Sequence, residues 1–278
     1  MIPAPLSFQL LTCQIEIATD STAIRSALRY LAQDAVQGIS PTRHVRYQVA
    51  ALDGRFHVLK DGAEIATVAH PDRVMRILYT SAHDVSHRSL PPHMRIHAGC
   101  ATVNGRRVLI VGDKRAGKTT LMLRLALDGI EVLGDEMVVV EADGQSIPYP
   151  RRFHVRAKTF SLIPEISGRE AEFPSTTLRQ GRSIYAISPT ELGLSWHLCR
   201  SSIDSIVFLE RNHGGETSIH PINTETAMHR LGQNMTYPER AITWFSILLG
   251  VVKHTRNYVL INGEPTAAAS LLKGLPDQ

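Results

Sequence analysis

Only three cysteines occur in the 278 residues, Cys13, Cys100 and Cys199, too few and too scattered for a disulfide framework. They read as reduced thiols in a cytoplasmic protein. No apolar run approaches the roughly 18 residues that a membrane helix needs. The longest, Ala241 to Val252, reads as a buried helix instead. No basic region precedes the first apolar residues, which argues against a secretory signal. Neither sign of charge dominates, since 30 Lys and Arg face 26 Asp and Glu for a net charge of +4, so neither a nucleic-acid nor a membrane partner is expected. Internal repeats and low-complexity tracts are absent. So are the D-x-x-G and N-K-x-D signatures of a GTPase and the L-S-G-G-Q segment of a transporter ATPase.

What is present is a complete G-x-x-x-x-G-K-[ST] loop: Gly112, Asp113, Lys114, Arg115, Ala116, Gly117, Lys118 and Thr119, followed by Thr120. Its glycines let the backbone turn successive N–H groups inward, making an anion site at the first turn of the next helix. Lys118 is placed to reach the β- and γ-phosphates of a nucleotide, and the Thr119 hydroxyl to enter the shell of a Mg²⁺ ion, with Thr120 the weaker candidate. Context agrees with the motif. Arg107 to Val111 is an apolar run suited to a buried strand, and Leu121, Met122, Leu125 and Ala126 recur at helical spacing after the loop.

An acidic pair, Asp135-Glu136, follows the strand-like Ile130 to Leu133, which places its carboxylates at or inside a strand beside the loop's own strand. Such carboxylates orient a Mg²⁺ shell or accept a proton from an alcohol, and Asp135 is taken as the base with Glu136 assisting the metal. His97 opens the strand whose hairpin partner enters the loop, from where an imidazole could orient a carboxylate. Arg152, His154, Arg156 and Lys158 alternate with apolar residues, so a strand here would present a cationic row for an acidic peptide, or a solvated sheet face. The His83/His87 and His93/His97 pairs are poor zinc candidates, because prolines interrupt any helix joining them and no cysteine accompanies them.

The expected fold class is α/β, with an N-terminal α+β module over residues 1–90 and a catalytic domain over 91–278. In the module, an extended run from Phe8 to Ile17 precedes a helix opening near Asp20 and Ser21. Asp53-Gly54 and Asp61-Gly62 then divide three short strands, and a helix from Pro71 ends near His83. Ser89-Leu90-Pro91-Pro92 reads as a linker. Further on, Asn104-Gly105 joins a hairpin, Ile206 to Leu209 and Tyr258 to Leu260 are strands, and Thr224 to Leu231, Glu239 to Val252 and Thr266 to Leu272 are helices.

The run from His97 through the hairpin and loop to Gly134-Asp135-Glu136 resembles the HPr kinase/phosphorylase family and its related serine kinases. The likeness is good over about residues 95–160 and weaker through Ile206 to Glu210 and Tyr258 to Leu272. It implies a kinase core similar to that of phosphoenolpyruvate carboxykinase, ATP and Mg²⁺ as cofactors, phosphate binding by residues 112–120, and catalysis by His97 and Asp135, to which the motif reading adds Lys118 and Glu136. The chain lacks the Glu-Ile-Arg-Gly-Leu-Gly-type segment of HPr kinases and carries Glu136 where they have Asp, so an acceptor other than HPr is implied. In size and layout the chain is similar to the kinases that modify lasso-peptide precursors. A serine-type hydroxyl of a peptide or protein is the preferred acceptor, with Arg152, His154 and Arg156 binding it. Free serine or another small alcohol, a hydrolysing switch and a nucleotide sensor are the alternatives. The resemblance also allows a homo-oligomer.

Overall fold

The computed structural model describes residues 4–177, 183–236 and 241–276. The chain opens with β1 (Leu6–Leu10), β2 (Cys13–Thr19), α1 (Thr22–Leu28), β3 (Val36–Gln37), β4 (Arg43–Leu52), β5 (Arg55–Lys60), β6 (Ala63–Val68) and α2 (Pro71–Arg88). Five of these strands form a sheet in the order β1-β2-β4-β5-β6, and α1 and α2 cover one face of it over a core that includes Ile15, Tyr47, Val58, Val74 and Leu78. Both Asp-Gly pairs turn as their chemistry requires, with Asp53, Gly54, Asp61 and Gly62 all at positive φ. The Ser21 side chain caps α1 by accepting from the Ile24 amide.

Two expectations fail in this half. The single extended run from Phe8 is a hairpin, broken at Leu11, which turns at a φ of 51°. Its side chain is fully buried against Val139, Ile147 and Tyr149 from later in the chain, and that burial offsets the backbone strain. Helix α2 does not stop near His83 either. Val85 continues the buried stripe of Val74, Leu78 and Ala82, so the helix runs to Arg88 and ends where Ser89 precedes Leu90-Pro91-Pro92.

That extra turn buries histidine. Burial, together with the nearby Arg95 and His93, holds the His87 imidazole down to about 3, and burial with Arg151 and His87 does the same to His83. Both rings are therefore neutral in the folded chain, whereas an unfolded chain takes up protons near pH 6.5. Stability is complete above that value and declines as pH falls toward 3. Chemical denaturation should show a loss of roughly 1–2 kcal/mol per histidine between pH 7 and pH 5. A His87→Gln variant should lose less over that interval. An identical pH slope in the variant would refute the assignment.

The rest of the chain runs β7 (His93–Ile96), β8 (Ala98–Val103), β9 (Arg106–Gly112), α3 (Lys118–Leu127), β10 (Glu131–Gly134), β11 (Val138–Glu141), β12 (Ser146–Pro148), β13 (Phe153–Arg156), α4 (Ala157–Phe160), β14 (Ser175–Thr177), β15 (Ser183–Ile187), β16 (His197–Leu198) and β17 (Ser205–Arg211). It closes with β18 (Ser218–Pro221), α5 (Thr224–Gln233), β19 (Met235–Thr236), α6 (Ala241–His254), β20 (Arg256–Asn262) and α7 (Pro265–Lys273). Residues 239 and 240, where the helix before Val252 was expected to open, lie outside the described residues.

A six-stranded sheet in the order β10-β8-β9-β17-β20-β18 is the centre, with β9, β17 and β20 parallel. Helices α3 and α7 pack on one face. The four-stranded sheet β12-β11-β7-β19 and helices α5 and α6 cover the other. Along β9, Val108 and Ile110 enter the first core while Leu109 and Val111 enter the second, which is why the strand reads as an uninterrupted apolar run. The class is mixed α/β, as the alternation of elements in the sequence indicates. No helix among the described residues is long and apolar enough to cross a membrane.

The expected hairpin is present: Asn104 and Gly105, both at positive φ, close a tight turn that keeps β8 against β9. Three other placements differ from expectation. Strand β10 pairs with β8, so the strand leading to Asp135 is one removed from the loop's strand, while the acidic pair directly follows Gly134 at the end of β10, as expected. His97 sits between β7 and β8, where the chain passes from one sheet to the other, and its amide donates to the Asn234 carbonyl at 2.9 Å. Strand β13 covers only Phe153 to Arg156 before α4 begins, so Arg152 and Lys158 fall outside it.

Candidate active site

Strands β9, β17 and β20 end side by side at Gly112, Arg211 and Asn262, the edge of a parallel sheet where ligands bind. The loop leaves β9 at Gly112. A Cβ there would stand 2.9 Å from the Leu209 carbonyl oxygen, so only glycine lets β9 pass β17 at this point. At Gly117, φ is 102° and a Cβ would meet the Asn262 side-chain nitrogen at 2.6 Å. That nitrogen donates to the Ala116 carbonyl at 3.2 Å and fixes the loop's last turn. Arg115 also takes a left-handed φ, of 74°, within the loop. Helix α3 begins at Lys118, so its first amides open onto the loop's concave side. The Lys118 ammonium is buried and donates to the carbonyls of Gly112 and Asp113. Burial lowers its pKa, with Glu136 and Asp135 acting against the shift.

The two threonines diverge. Thr119 Oγ1 donates to Asp135 Oδ2 at 2.8 Å, tying the loop to the acidic pair. Thr120 Oγ1 lies 3.4 Å from Thr159 Oγ1, with no hydrogen bond to the acidic pair among the described residues. Asp135 is 2% exposed, and its other oxygen, Oδ1, has no hydrogen-bond partner among the described residues. Burial, opposed by Arg151, pushes this carboxyl up to about 6. Glu136 is more open. One of its oxygens accepts from Arg151 Nη2 at 2.8 Å, and the other stands 3.9 Å from His97 Nδ1. Burial and the Lys118 charge hold the His97 imidazole below its ordinary value, so it is neutral near pH 7.

No family model and no curated protein matches the chain. Among solved structures it is similar to the HPr(Ser) kinase/phosphatase from Coxiella burnetii. The two share 11% identity over 65% of this chain and 94% of that one, with a TM-score of 0.33. At that score the site is read from its own geometry.

Arg151 is the residue that sequence reasoning passed over. Its guanidinium reaches Glu136, stands 3.7 Å from Asp135 Oδ1, and donates to the Tyr79 hydroxyl of α2 at 3.4 Å. Burial works against its charge, but Tyr79, Glu136 and Asp135 outweigh that cost, and the group stays protonated. Arg152, expected to bind substrate, does not face the cleft. It is 4% exposed, donates to the Ala32 carbonyl, and lies 2.8 Å from both Asp34 and Glu191. Its role is to clamp the segment after α1 to the second half of the chain. Asn262 was also missed, and no local signal marks it.

His154 and Arg156 do line the cleft, the former with its ring 5.1 Å from that of Tyr30 and 6.0 Å from that of Tyr79. Burial holds the His154 pKa well below its usual value. Among the described residues no group of three or more His, Cys, Asp or Glu is placed to hold a metal, and His83 Nδ1 is bonded to the Tyr149 hydroxyl at 2.6 Å. The cleft encloses about 1810 Å³ and brings His97, Lys118, Thr119, Asp135, Glu136 and Arg151 to one wall.

This arrangement can neutralise and orient a polyphosphate. It also sets an open carboxylate, a neutral imidazole and a fixed guanidinium beside the mouth of the loop. The hydroxyl of Thr119 and the unpaired oxygen of Asp135 are hard donors of the kind Mg²⁺ takes, so these residues fit that ion.

Proposed function

We propose that the chain is an ATP-dependent phosphotransferase that moves the γ-phosphoryl group to a serine-type hydroxyl of a peptide or protein. The observation that carries this reading is the 2.8 Å bond from Thr119 to the buried Asp135, which joins the phosphate loop to the acidic pair within one cleft. The loop amides and Lys118 bind the β- and γ-phosphates. Thr119 and Asp135 would hold Mg²⁺, which supplies positive charge against the phosphates when bound.

The acceptor oxygen forms a new bond to the γ-phosphorus, the bond to the β-phosphate oxygen breaks, and ADP leaves. The hydroxyl proton goes to Glu136. The greater exposure of Glu136 supports it as the proton acceptor, and the bond to Thr119 supports Asp135 in the metal shell, the reverse of the order read from the sequence. His97 steadies Glu136, and Arg151 lies where charge on the moving phosphoryl group is met by a fixed cation.

The test is γ-labelled ATP with Mg²⁺ and three acceptors: serine-containing peptides, free serine and water. Label is expected on the peptides and not on matched peptides with alanine for serine. Label recovered solely as inorganic phosphate would make the chain a hydrolase, and transfer to free serine alone would make it a small-alcohol kinase.

A further inference from the structure

We infer that the cleft-facing stripe of α2 is the acceptor subsite and that it takes an acidic peptide segment. The inference rests on the phosphotransfer reading and adds to it the class of acceptor. Helix α2 buries Val74, Leu78, Ala82 and Val85 against its own sheet. Met75, Arg76 and Tyr79 line the cleft, Met75 and Tyr79 while also packing on the margin of that core, with Arg73 at their edge. Tyr79 hands this stripe directly to the acidic pair, since its hydroxyl accepts from Arg151 and Arg151 bonds Glu136.

The direction of approach follows. The loop holds the nucleotide at the ends of β9, β17 and β20, so an attacking hydroxyl must arrive from the side of the acids, which is the side α2 walls. Charge then selects the occupant. Lys114, Arg115 and Arg211 stand at the loop, where a triphosphate would neutralise them. Arg73, Arg76, Arg156 and Lys158 also line the cleft, and among the described residues none of the four has an ion pair or side-chain hydrogen bond. On this wall the acid is Asp72, in the first turn of α2, where the helix dipole accounts for it. Four unneutralised cations beside a slot flanked by Tyr30, Tyr79 and His154 suit an extended segment carrying carboxylates near its hydroxyl.

The experiment uses the full chain with Mg²⁺ and a non-hydrolysable ATP analogue, and follows the anisotropy of labelled Glu/Ser, Gln/Ser and Lys/Ser peptides. Wild-type protein should bind Glu/Ser about tenfold more tightly than Gln/Ser at physiological salt. The double variant Arg73→Glu/Arg76→Glu should lose that margin and gain affinity for Lys/Ser, with binding of the ATP analogue as the control for folding. Equal affinity for Glu/Ser and Gln/Ser, or a double variant that binds Glu/Ser as the wild type does, overturns the subsite. Acidic binding that follows this pattern without any transfer of label would sink the phosphotransfer reading and leave the subsite standing. Transfer to neutral and acidic peptides alike would do the opposite.

Discussion

Lys118→Ala is expected to lower kcat/KM for phosphoryl transfer by about 10³-fold, measured with γ-labelled ATP and a serine peptide. The side chain is 6% exposed, and its ammonium lies across the mouth of the loop on the carbonyls of Gly112 and Asp113, the position from which, on the proposed reading, it would meet the terminal phosphates. Alanine removes the one cation that the helix start itself supplies there and leaves the amides to bind alone. Nucleotide affinity should therefore fall less than kcat does, because charge on the phosphoryl oxygens is met most fully as transfer proceeds. Arginine should not substitute. Its longer planar head cannot occupy the same buried point without moving Gly112 or Asp113. A loss of less than about threefold in Lys118→Ala would end the assignment of this loop as the phosphate site.

The second large effect has two parts of opposite sign. Asp135→Asn should cut transfer by about 10³-fold and at the same time stabilise the fold by roughly 2 kcal/mol near pH 7. The carboxyl is buried, and its pKa, raised to about 6, stands above that of an unfolded aspartate. A raised value means that the folded chain holds its proton more tightly. The contribution to stability is thus complete below about pH 4 and is lost as pH rises through 6, leaving a destabilising charge at neutrality. Asparagine keeps an oxygen to accept from Thr119 and removes the charge. Thermal melts with and without Mg²⁺ separate the two parts: the variant should melt higher than wild type in the absence of the ion and respond less to its addition. A variant that melts lower in both conditions would show that Asp135 is a structural acid held by Arg151, with no functional strain at the site.

The loop, its strand and its helix were legible because their causes are local. A φ of 102° at Gly117 and the close approach of Gly112 to Leu209 need glycine whatever surrounds them, and the alternating destinations of Val108 to Val111 leave an apolar run in the sequence. The turns at Asp53-Gly54, Asp61-Gly62 and Asn104-Gly105 were legible for the same reason. The convergence of His97 with Asp135 and Glu136 was anticipated by resemblance to a family more than by the residues themselves.

Arg151 and Arg152 show where legibility stops. They are adjacent and chemically identical, and nothing local separates them. One enters the cleft because Tyr79, more than seventy residues earlier, meets it there. The other is turned away by Asp34 and Glu191, which lie far from it in the chain on either side. The same holds for α2, whose start at Pro71 could be read while its end at Arg88 and its second face could not. That face gains meaning from Arg151 and Glu136 standing opposite it.

By itself, then, the order of residues determined a glycine-bearing strand, loop and helix, the tight turns and the α/β class, since each depends on backbone strain or hydrophobic periodicity within a few residues. Tertiary structure alone decided which arginine serves the acids, that β8 stands between the loop's strand and β10, and that the first ninety residues wall the cleft. Those outcomes turn on pairings between distant segments, whose free energies are set by charges and surfaces that meet only when the chain is folded.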